Sequence, residues 1–403
     1  RSAASASLDP AQTRAAHAAL ANALTDQQLV ERAYHRVRAA DAKDEALAQE
    51  LEAAAGMSMA QGAHAVAADL LLRAVEVSEE PPGAIGRGGQ AAMAAYLSGD
   101  LPVAKGLLEQ ALAGGPPDPA RAELEHMLGR FSFYLGDTEG GLNQLEQTGA
   151  RVGESAPETS AVVLADASLF ATVTADCRRA ARLSGEAVVA AERGSDPAVR
   201  ANAVGADCHA RLTRGEATFP EIEEAAAMLA NFAAPGTTHA LRLAVLAYCA
   251  TVTGHSDRAL SYLEQHIRQA RASAMVSAIP FALLWRGHAL SQRGQTDQGI
   301  ASISEGLGFA NESGQVNAVA LGLALRAPIL ANRGDLAAAR ESAEHCIGMV
   351  ATVDSTGVFA HRALGLIDLV DGRHQEVVDR LGPLDKIVRD DYGMEHPGIE
   401  PIG

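Results

Sequence analysis

Histidines and cysteines are the residues of this chain best suited to bind a metal, and their spacing does not favour a metal site. The chain has 13 histidines and four cysteines. No two histidines stand four residues apart, and no Cys-x-x-Cys pair occurs, although zinc sites usually contain such spacings. We therefore expect no metal site. We expect the four thiols to be reduced and buried: Cys177, Cys208, Cys249 and Cys346.

Other motifs that carry chemistry are incomplete. The stretch Gly86-Arg87-Gly88-Gly89 lacks the lysine and the preceding strand that a phosphate-binding loop requires. A Gly-x-Ser-x-Gly nucleophile elbow does not occur. Acidic pairs such as Glu223-Glu224 and Asp390-Asp391 stand in polar stretches and predict solvated surface. These observations favour a protein that is not an enzyme.

Composition and charge exclude two further classes of protein. Lys and Arg number 33 against 50 Asp and Glu, which gives a net charge of −17 and disfavours a nucleic-acid-binding surface. No uncharged apolar run reaches the roughly 18 residues of a membrane-spanning helix. Hydrophobic residues make up 48% of the chain but aromatic residues only 4%, so Ala, Leu and Val dominate and helices are favoured.

Glycines recur along the chain at nearly constant intervals. Eight of them are separated by 37, 37, 79, 39, 40, 40 and 38 residues: Gly62, Gly99, Gly136, Gly215, Gly254, Gly294, Gly334 and Gly372. The interval of 79 spans two periods, and the missing turn falls near Ala175, beside Asp176. Because glycine adopts positive φ without steric penalty, it commonly ends a helix. The spacing predicts about nine helical hairpins with a period near 39 residues.

Small residues occur at fixed distances from these turns. Seven positions before each turn stand Ala55, Ala92, Gly129, Ser168, Cys208, Ala247, Gly287, Ala327 and Gly365. Five positions after the turn, seven of nine residues are Ala or Gly, whereas Pro220 and Val377 depart from the pattern. Close packing of two antiparallel helices requires small residues where they cross. The pattern therefore indicates tightly packed hairpins.

This pattern resembles tetratricopeptide (TPR) repeats, with a period about five residues longer than their usual 34. The resemblance implies an all-α fold, a right-handed superhelix (α-solenoid) in which the first helix of each hairpin lines a concave face. Pro280 is expected to begin one such helix.

Residues on the predicted inner face are mostly apolar or aromatic, with a few polar groups, as is usual for a small-molecule site. The candidate ligand-binding residues are Tyr96, His126, Arg130, Phe133, Tyr134, His209, Tyr248, Phe281, His288, Phe359 and Arg362. Aromatic residues at helical spacing can also be packing core, and core is the favoured interpretation for Phe131, Phe170 and Trp285. Solvated inner-surface residues without a ligand are a further alternative.

Three segments suggest a family. The chain resembles large ATP-binding LuxR-family transcriptional regulators in three places. These are residues 8–24, Met59-Ala60 with residues 70–74, and the C-terminal residues 396–401. Arg32-Ala33-Tyr34-His35 falls where that family usually carries Trp-His-Leu, and the Tyr34-His35-Arg36 of this chain departs from it.

The resemblance implies a domain organisation and a function. Residues 1–45 would be a helical connector after an ATPase module, and residues 46–403 a superhelical sensor domain. Because the chain begins with Arg1, we expect a fragment, with ATP and DNA bound by other segments of the regulator. The sensor would bind a small, partly apolar effector or a regulatory protein in the cytoplasm, without direct nucleic-acid or membrane contact. The alternative is a scaffold that binds a peptide or protein, and the sequence is compatible with a homo-oligomer.

Overall fold

The computed structural model describes residues 9–25, 28–232, 238–350 and 355–391. In these ranges the chain forms 20 α-helices and no strand, which confirms the predicted all-α class. Two compact units are present, Arg1–Leu124 and Glu125–Gly403. None of the helices in the described ranges is long and apolar enough to cross a membrane.

The helices are numbered in chain order. The first unit contains α1 (Pro10–Ala23), α2 (Leu29–Ala39), α3 (Glu45–Ala60), α4 (His64–Val77), α5 (Pro81–Ser98) and α6 (Leu101–Ala113). Helix α7 (Ala120–Tyr134) begins before residue 125 and continues in the second unit. The second unit further contains α8 (Thr138–Val152), α9 (Pro157–Val173), α10 (Cys177–Glu192), α11 (Pro197–Thr213), α12 (Phe219–Ala230), α13 (Thr238–Val252), α14 (Ser256–Ala272), α15 (Pro280–Gln292), α16 (Thr296–Glu312), α17 (Val316–Arg333), α18 (Leu336–Met349), α19 (Ser355–Val370) and α20 (His374–Lys386). A 3₁₀ turn covers Val276–Ala278 and a π-helical turn Ile387–Asp391.

From α3 onward the helices pair into nine hairpins, as the glycine spacing predicts. All eight turn glycines have positive φ, between 71° and 99°. The ninth turn is at Ala175, which has a φ of 65° and fills the predicted gap in the series. Turn residues Asp100, Asp137 and Asp176 accept hydrogen bonds from backbone N–H groups of the helices that follow. The predicted helix start at Pro280 is also confirmed.

The two helices of a hairpin cross where the small residues stand. A Cβ on Gly287 would lie 2.7 Å from the carbonyl oxygen of Gly299, and one on Gly141 would lie 2.5 Å from that of Gly129. In the hairpin of α9 and α10, the Ser168 hydroxyl donates to the Ala180 carbonyl at 2.9 Å. All nine residues that precede the turns by seven positions are buried. Close approach of the backbones thus explains this part of the repeat.

The two departures from the small-residue pattern are also explained by packing. Pro220 is exposed and Val377 is half-buried, whereas the Ala and Gly residues at the equivalent positions are buried. Because the side chains of Pro220 and Val377 are not enclosed at a helix crossing, their size is tolerated there.

Within the second unit, the array of hairpins closes on itself. Asn317, at the start of α17, donates from Nδ2 to the carbonyl oxygen of Phe133 at 2.6 Å. Arg178 in turn donates to the carbonyl oxygen of Asp390 at 2.8 Å, and α9 contacts α19 directly. Each of these contacts joins hairpins that are five repeats apart. The interior of this unit is therefore a narrow cavity enclosed by helices.

The cysteines are free and buried, as expected. Burial raises the pKa of the Cys177 thiol to about 11 and that of Cys208 to about 12, so both are protonated at neutral pH. The segment 396–401 that contributes to the family resemblance lies outside the described residues.

Candidate ligand-binding cavity

One cavity occupies the interior of the second unit and is lined by the first helix of every hairpin from α7 to α19. The space between its lining residues, together with the open solvent at its mouth, amounts to about 850 Å³. We call it the central cavity. Its wall is mainly apolar, and its aromatic residues are Phe133, Tyr134, Phe170, Tyr248, Phe281, Trp285 and Phe359. Polar groups in the wall are His209, Asn317, Thr172 and Thr356.

The aromatic rings contact one another around the wall. Phe133 and Phe170 are stacked, with ring centroids 3.6 Å apart. Tyr248 and Trp285 lie 4.3 Å apart, and Tyr134 and Phe281 5.9 Å apart, both in tilted geometry. These pairs join six of the seven aromatic rings of the wall in contacts at distances typical of aromatic pairs.

The structure brings six of the predicted ligand-binding residues to the cavity wall: Phe133, Tyr134, His209, Tyr248, Phe281 and Phe359. His288 lies behind the wall, with its ring centroid 6.3 Å from Phe359 and 6.5 Å from Tyr248. Arg362 is half-buried, and burial lowers the pKa of its guanidinium, against the influence of Tyr248. Tyr96 is buried in α5 of the first unit.

Two residues for which core packing was the favoured interpretation line the cavity, namely Phe170 and Trp285. Phe131 is only 1% exposed and belongs to the packed interior, as expected. Helical spacing places an aromatic residue on a face of its helix, but the curvature of the whole array decides whether that face meets another helix or a cavity.

His126 and Arg130 converge on a buried carboxylate. Asp166, on α9, is 1% exposed and accepts a hydrogen bond from His126 Nε2 at 2.9 Å. Arg130 Nε lies 3.6 Å from the same carboxylate, and Arg242 Nη2 lies 3.3 Å from it. Burial opposes ionisation of Asp166, but the hydrogen bond from His126 and the charges of both arginines outweigh it and lower the pKa.

Arg242 reaches this carboxylate from α13 across the face of α11. Gly205 makes room for it, because a Cβ there would lie 3.0 Å from Arg242 Cγ. The Nη2 group also donates to the carbonyl oxygen of Ala165 at 2.6 Å, and Nε lies 3.5 Å from Asn202 Oδ1. Full burial lowers the pKa of the Arg242 guanidinium, and Asp166 counteracts this.

Two buried histidines next to the cavity are neutral at physiological pH. Burial, and secondarily the charge of Arg242, lowers the pKa of His209 to about 3. Burial and the charge of Arg362 lower the pKa of His288 to about 4. A neutral imidazole can accept or donate a hydrogen bond, so His209, which lines the cavity, can bond a polar ligand group in either role.

Asp166 and Arg242 are not among the predicted ligand-binding residues, although the sequence contains a signal for both. Asp166 is the one charged residue in the apolar stretch 159–175 before its own turn, and Arg242 is the one charged residue of α13. A lone charge within an apolar helix requires a buried partner, because an unpaired charge in the core is costly. The described residues contain no group of three or more His, Cys, Asp or Glu that could hold a metal ion.

The hairpin geometry, the positive-φ turns and the cavity on the first helices define a helical-repeat protein of the TPR type. No protein-family model matches the chain, and no curated protein matches its sequence. Among solved structures, a Rap protein complexed with competence and sporulation factor superposes with a TM-score of 0.55 at 11% identity, covering 87% of this chain and 99% of that one.

Two further solved structures match at lower similarity. The human IFIT1 dimer with m7Gppp-AAAA has a TM-score of 0.48 at 14% identity and covers 93% of this chain and 84% of its own. A signal-transduction ATPase with a tetratricopeptide-repeat sensor from Pyrococcus horikoshii has a TM-score of 0.37 at 12% identity, covering 94% of this chain and 53% of that one. Identities this low establish a likeness of fold only.

Proposed function

We propose that the second unit is an effector-binding module whose central cavity takes a small, partly apolar ligand, and that its role is binding rather than catalysis. The observation that carries this proposal is the cavity itself, which is lined by seven aromatic residues from the first helices. Enclosed, mostly apolar spaces with a few polar groups are typical small-molecule sites.

Closure of the array supplies a means of signalling. The contacts between α7 and α17 and between α9 and α19 surround the cavity, so a ligand inside it touches both ends of the closed ring. A ligand that binds the closed form more tightly than an open form shifts the population towards closure. Any attached domain that contacts only one of the two forms is then regulated by the ligand.

The single tryptophan of the chain, Trp285, lines the cavity and serves as a built-in reporter. We expect ring-containing compounds from a fragment library to change the Trp285 emission and to raise the melting temperature. The cavity-filling variant Ala244→Phe should abolish these responses, because Ala244 is buried in the wall. The control Ala301→Phe, at an exposed position of α16, should preserve them.

Two outcomes would contradict the proposal. One is a library without any compound that alters both signals in the unmodified protein. The other is a set of compounds that bind Ala244→Phe as tightly as the unmodified protein, since those compounds would occupy another site.

A second candidate function is a scaffold that binds a peptide or a protein. The fold-level likeness to a Rap protein complexed with competence and sporulation factor favours it. If this candidate is correct, the immobilised chain should retain a protein or peptide partner in stoichiometric amounts. The substitution Ala244→Phe should not change the amount retained. A partner that Ala244→Phe displaces would instead share the cavity with the proposed effector.

We further propose that the chain is the signal-sensing part of a LuxR-type transcriptional regulator. Support comes from the resemblance of residues 8–24 and 59–74 to that family and from the cavity. The reading frame of the gene tests this proposal directly. It should encode an ATPase module before these residues and a helix-turn-helix domain after them, and a frame without either would contradict the assignment.

A further inference from the structure

Three buried nitrogen atoms next to the central cavity have no hydrogen-bond partner. They are Nη1 of Arg242, Nδ2 of Asn202 and Nδ1 of His209. Asn202 and Arg242 are 1% exposed and His209 is 4% exposed. Leaving a buried polar group without a partner destabilises the fold, and more so if the group is charged. Three such groups in one place indicate that something else completes them.

The three residues belong to neighbouring faces of two helices. Asn202 and His209 are seven positions apart on α11, which places them on the same face about two turns apart. Arg242, on α13, lies within weak hydrogen-bond distance of Asn202 Oδ1, at 3.5 Å, and its charge acts on His209. They therefore form one polar cluster, which we call the α11–α13 cluster.

This cluster carries positive charge that is incompletely balanced. The carboxylate that pairs with Arg242 is Asp166, and Asp166 is shared with Arg130 and hydrogen-bonded to His126. At 3.3 Å, Arg242 uses only Nη2 for this contact, while Nη1 stays without a partner. Nη1 can therefore donate a charge-assisted hydrogen bond to a second carboxylate, while Nη2 keeps its bonds to Asp166 and to the Ala165 carbonyl oxygen.

The cluster adjoins the apolar wall of the cavity. His209 is itself a lining residue, and Arg242, which does not line the cavity, directly follows the lining residue Leu241 on α13. The His209 ring packs edge-on against Tyr248, with centroids 6.5 Å apart, and Tyr248 in turn packs against Trp285. A ligand whose polar group contacts His209 can therefore place its apolar part among these rings.

We propose that the His209 end of the central cavity takes the carboxylate of a small organic acid, with Arg242 as its countercharge and the aromatic wall around its apolar, ring-bearing body. This inference rests on the proposed effector-binding function and names the chemical class of the effector. A single negative charge matches the site better than a doubly charged phosphate, because each additional charge must also be desolvated in an apolar cavity.

Two sources could supply this chemistry, a free organic acid and the C-terminus of a short peptide. The first probe pair is 3-phenylpropionate and its neutral amide. The second pair is the peptide Gly-Gly-Phe with a free and with an amidated C-terminus. We expect the free acid of at least one pair to bind about tenfold or more tightly than its amide when titrated against Trp285 emission, because hydrogen bonds to charged groups are the stronger ones. The pair with the higher affinity identifies the source.

The substitution Asn202→Asp separates ligand recognition from folding. It is isosteric and supplies a carboxylate next to Arg242, so the site is neutralised from within. We expect it to remove the preference for the acid over the amide, to leave the affinity for the amide unchanged, and to keep or raise the melting temperature. The control Asn311→Asp adds the same charge to α16, where the Asn311 side chain bonds the carbonyl oxygen of Leu307, and should preserve the preference.

The outcomes distinguish this inference from the function on which it rests. Equal affinities for acid and amide in both pairs would overturn the carboxylate proposal. Water would then supply the hydrogen-bond partners of the three nitrogen atoms. The effector-binding function would remain supported, because the probes bind. Binding of neutral fragments without binding of either acid would likewise overturn the carboxylate proposal and support the effector-binding function. A preference that persists in Asn202→Asp would show that the α11–α13 cluster does not recognise the charge. Failure of all probes and of the fragment library would overturn both proposals.

Discussion

The side-chain amide of Asn317 donates a 2.6 Å hydrogen bond to the carbonyl oxygen of Phe133, joining the first helices of two hairpins that are five repeats apart. The same amide lies 3.2 Å from the hydroxyl of Thr138. Because Phe133 and Asn317 both line the central cavity, this contact closes the ring of helices at the site itself.

Removing this contact should open the ring. We expect Asn317→Ala to lower the free energy of unfolding by about 1 kcal/mol, since it removes one hydrogen bond to the Phe133 carbonyl oxygen, which still accepts from the backbone N–H of Gly136. Trp285 should also become more accessible to acrylamide quenching, because it lines the same cavity. Asn311→Ala is a matched control, because the Asn311 amide bonds within its own helix. Equal quenching in both variants would argue against a role for Asn317 in closure.

The glycine at a hairpin crossing should not tolerate a methyl group. In Gly287→Ala the new Cβ would lie 2.5 Å from Ile303 Cγ1 and 2.7 Å from the Gly299 carbonyl oxygen, so the backbones must separate. We expect a loss of about 1–3 kcal/mol in the free energy of unfolding, measured by urea denaturation.

Gly308→Ala is the control for this effect. Gly308 is an exposed residue of α16, and a Cβ there would meet nothing within 4 Å. Alanine is the better helix former, so this variant should gain about 0.5–1 kcal/mol. The interpretation of the repeat as close backbone packing would be wrong if both variants changed stability in the same direction.

Two alanines with positive φ should respond differently to replacement by glycine. Ala274 has a φ of 51° and is exposed, so Ala274→Gly should relieve backbone strain and raise stability by about 1 kcal/mol. Ala175 has a φ of 65° but is fully buried, and the loss of its methyl group offsets the relief. Thermal unfolding should therefore show a higher melting temperature for Ala274→Gly than for Ala175→Gly. The reverse order would contradict this account.

Stability should fall on acidification below pH 6.5, and the buried histidines should contribute to the fall. The pKa of His209 is about 3 and that of His288 about 4 in the folded protein, against 6.5 in an unfolded chain. Above pH 6.5 both states are neutral at these sites. Between pH 6.5 and 4 the unfolded chain takes up protons that the folded protein does not. Each histidine therefore destabilises the fold by about 2 kcal/mol at pH 5.

Urea unfolding at pH 7.5 and at pH 5 measures this contribution. The variant His209→Gln should lose about 2 kcal/mol less stability between the two pH values than the unmodified protein. His374→Gln, at an exposed position of α20, should leave the difference unchanged. An unaltered pH dependence in His209→Gln would show that His209 is not held neutral by burial.

The repeat architecture could be predicted from the sequence because its determinants are local. The spacing of the turn glycines and of the small residues at the crossings depends on helix ends and on contacts within one hairpin. Even the turn without a glycine, at Ala175, follows from the period. The assignment of the first helices to the inner face likewise follows from the TPR resemblance, and six of the residues predicted there line the cavity.

The sequence by itself determined the helical class, the nine hairpins and, for the hairpins of the second unit, which helix faces the cavity. Only the tertiary structure decided that the second unit closes after five repeats, that Phe170 and Trp285 line a cavity, and that Arg242 reaches Asp166. Closure depends on small rotations between successive hairpins, and these accumulate over many residues without a local signature. Contacts such as the one between residues 133 and 317 therefore arise only when the whole array has folded.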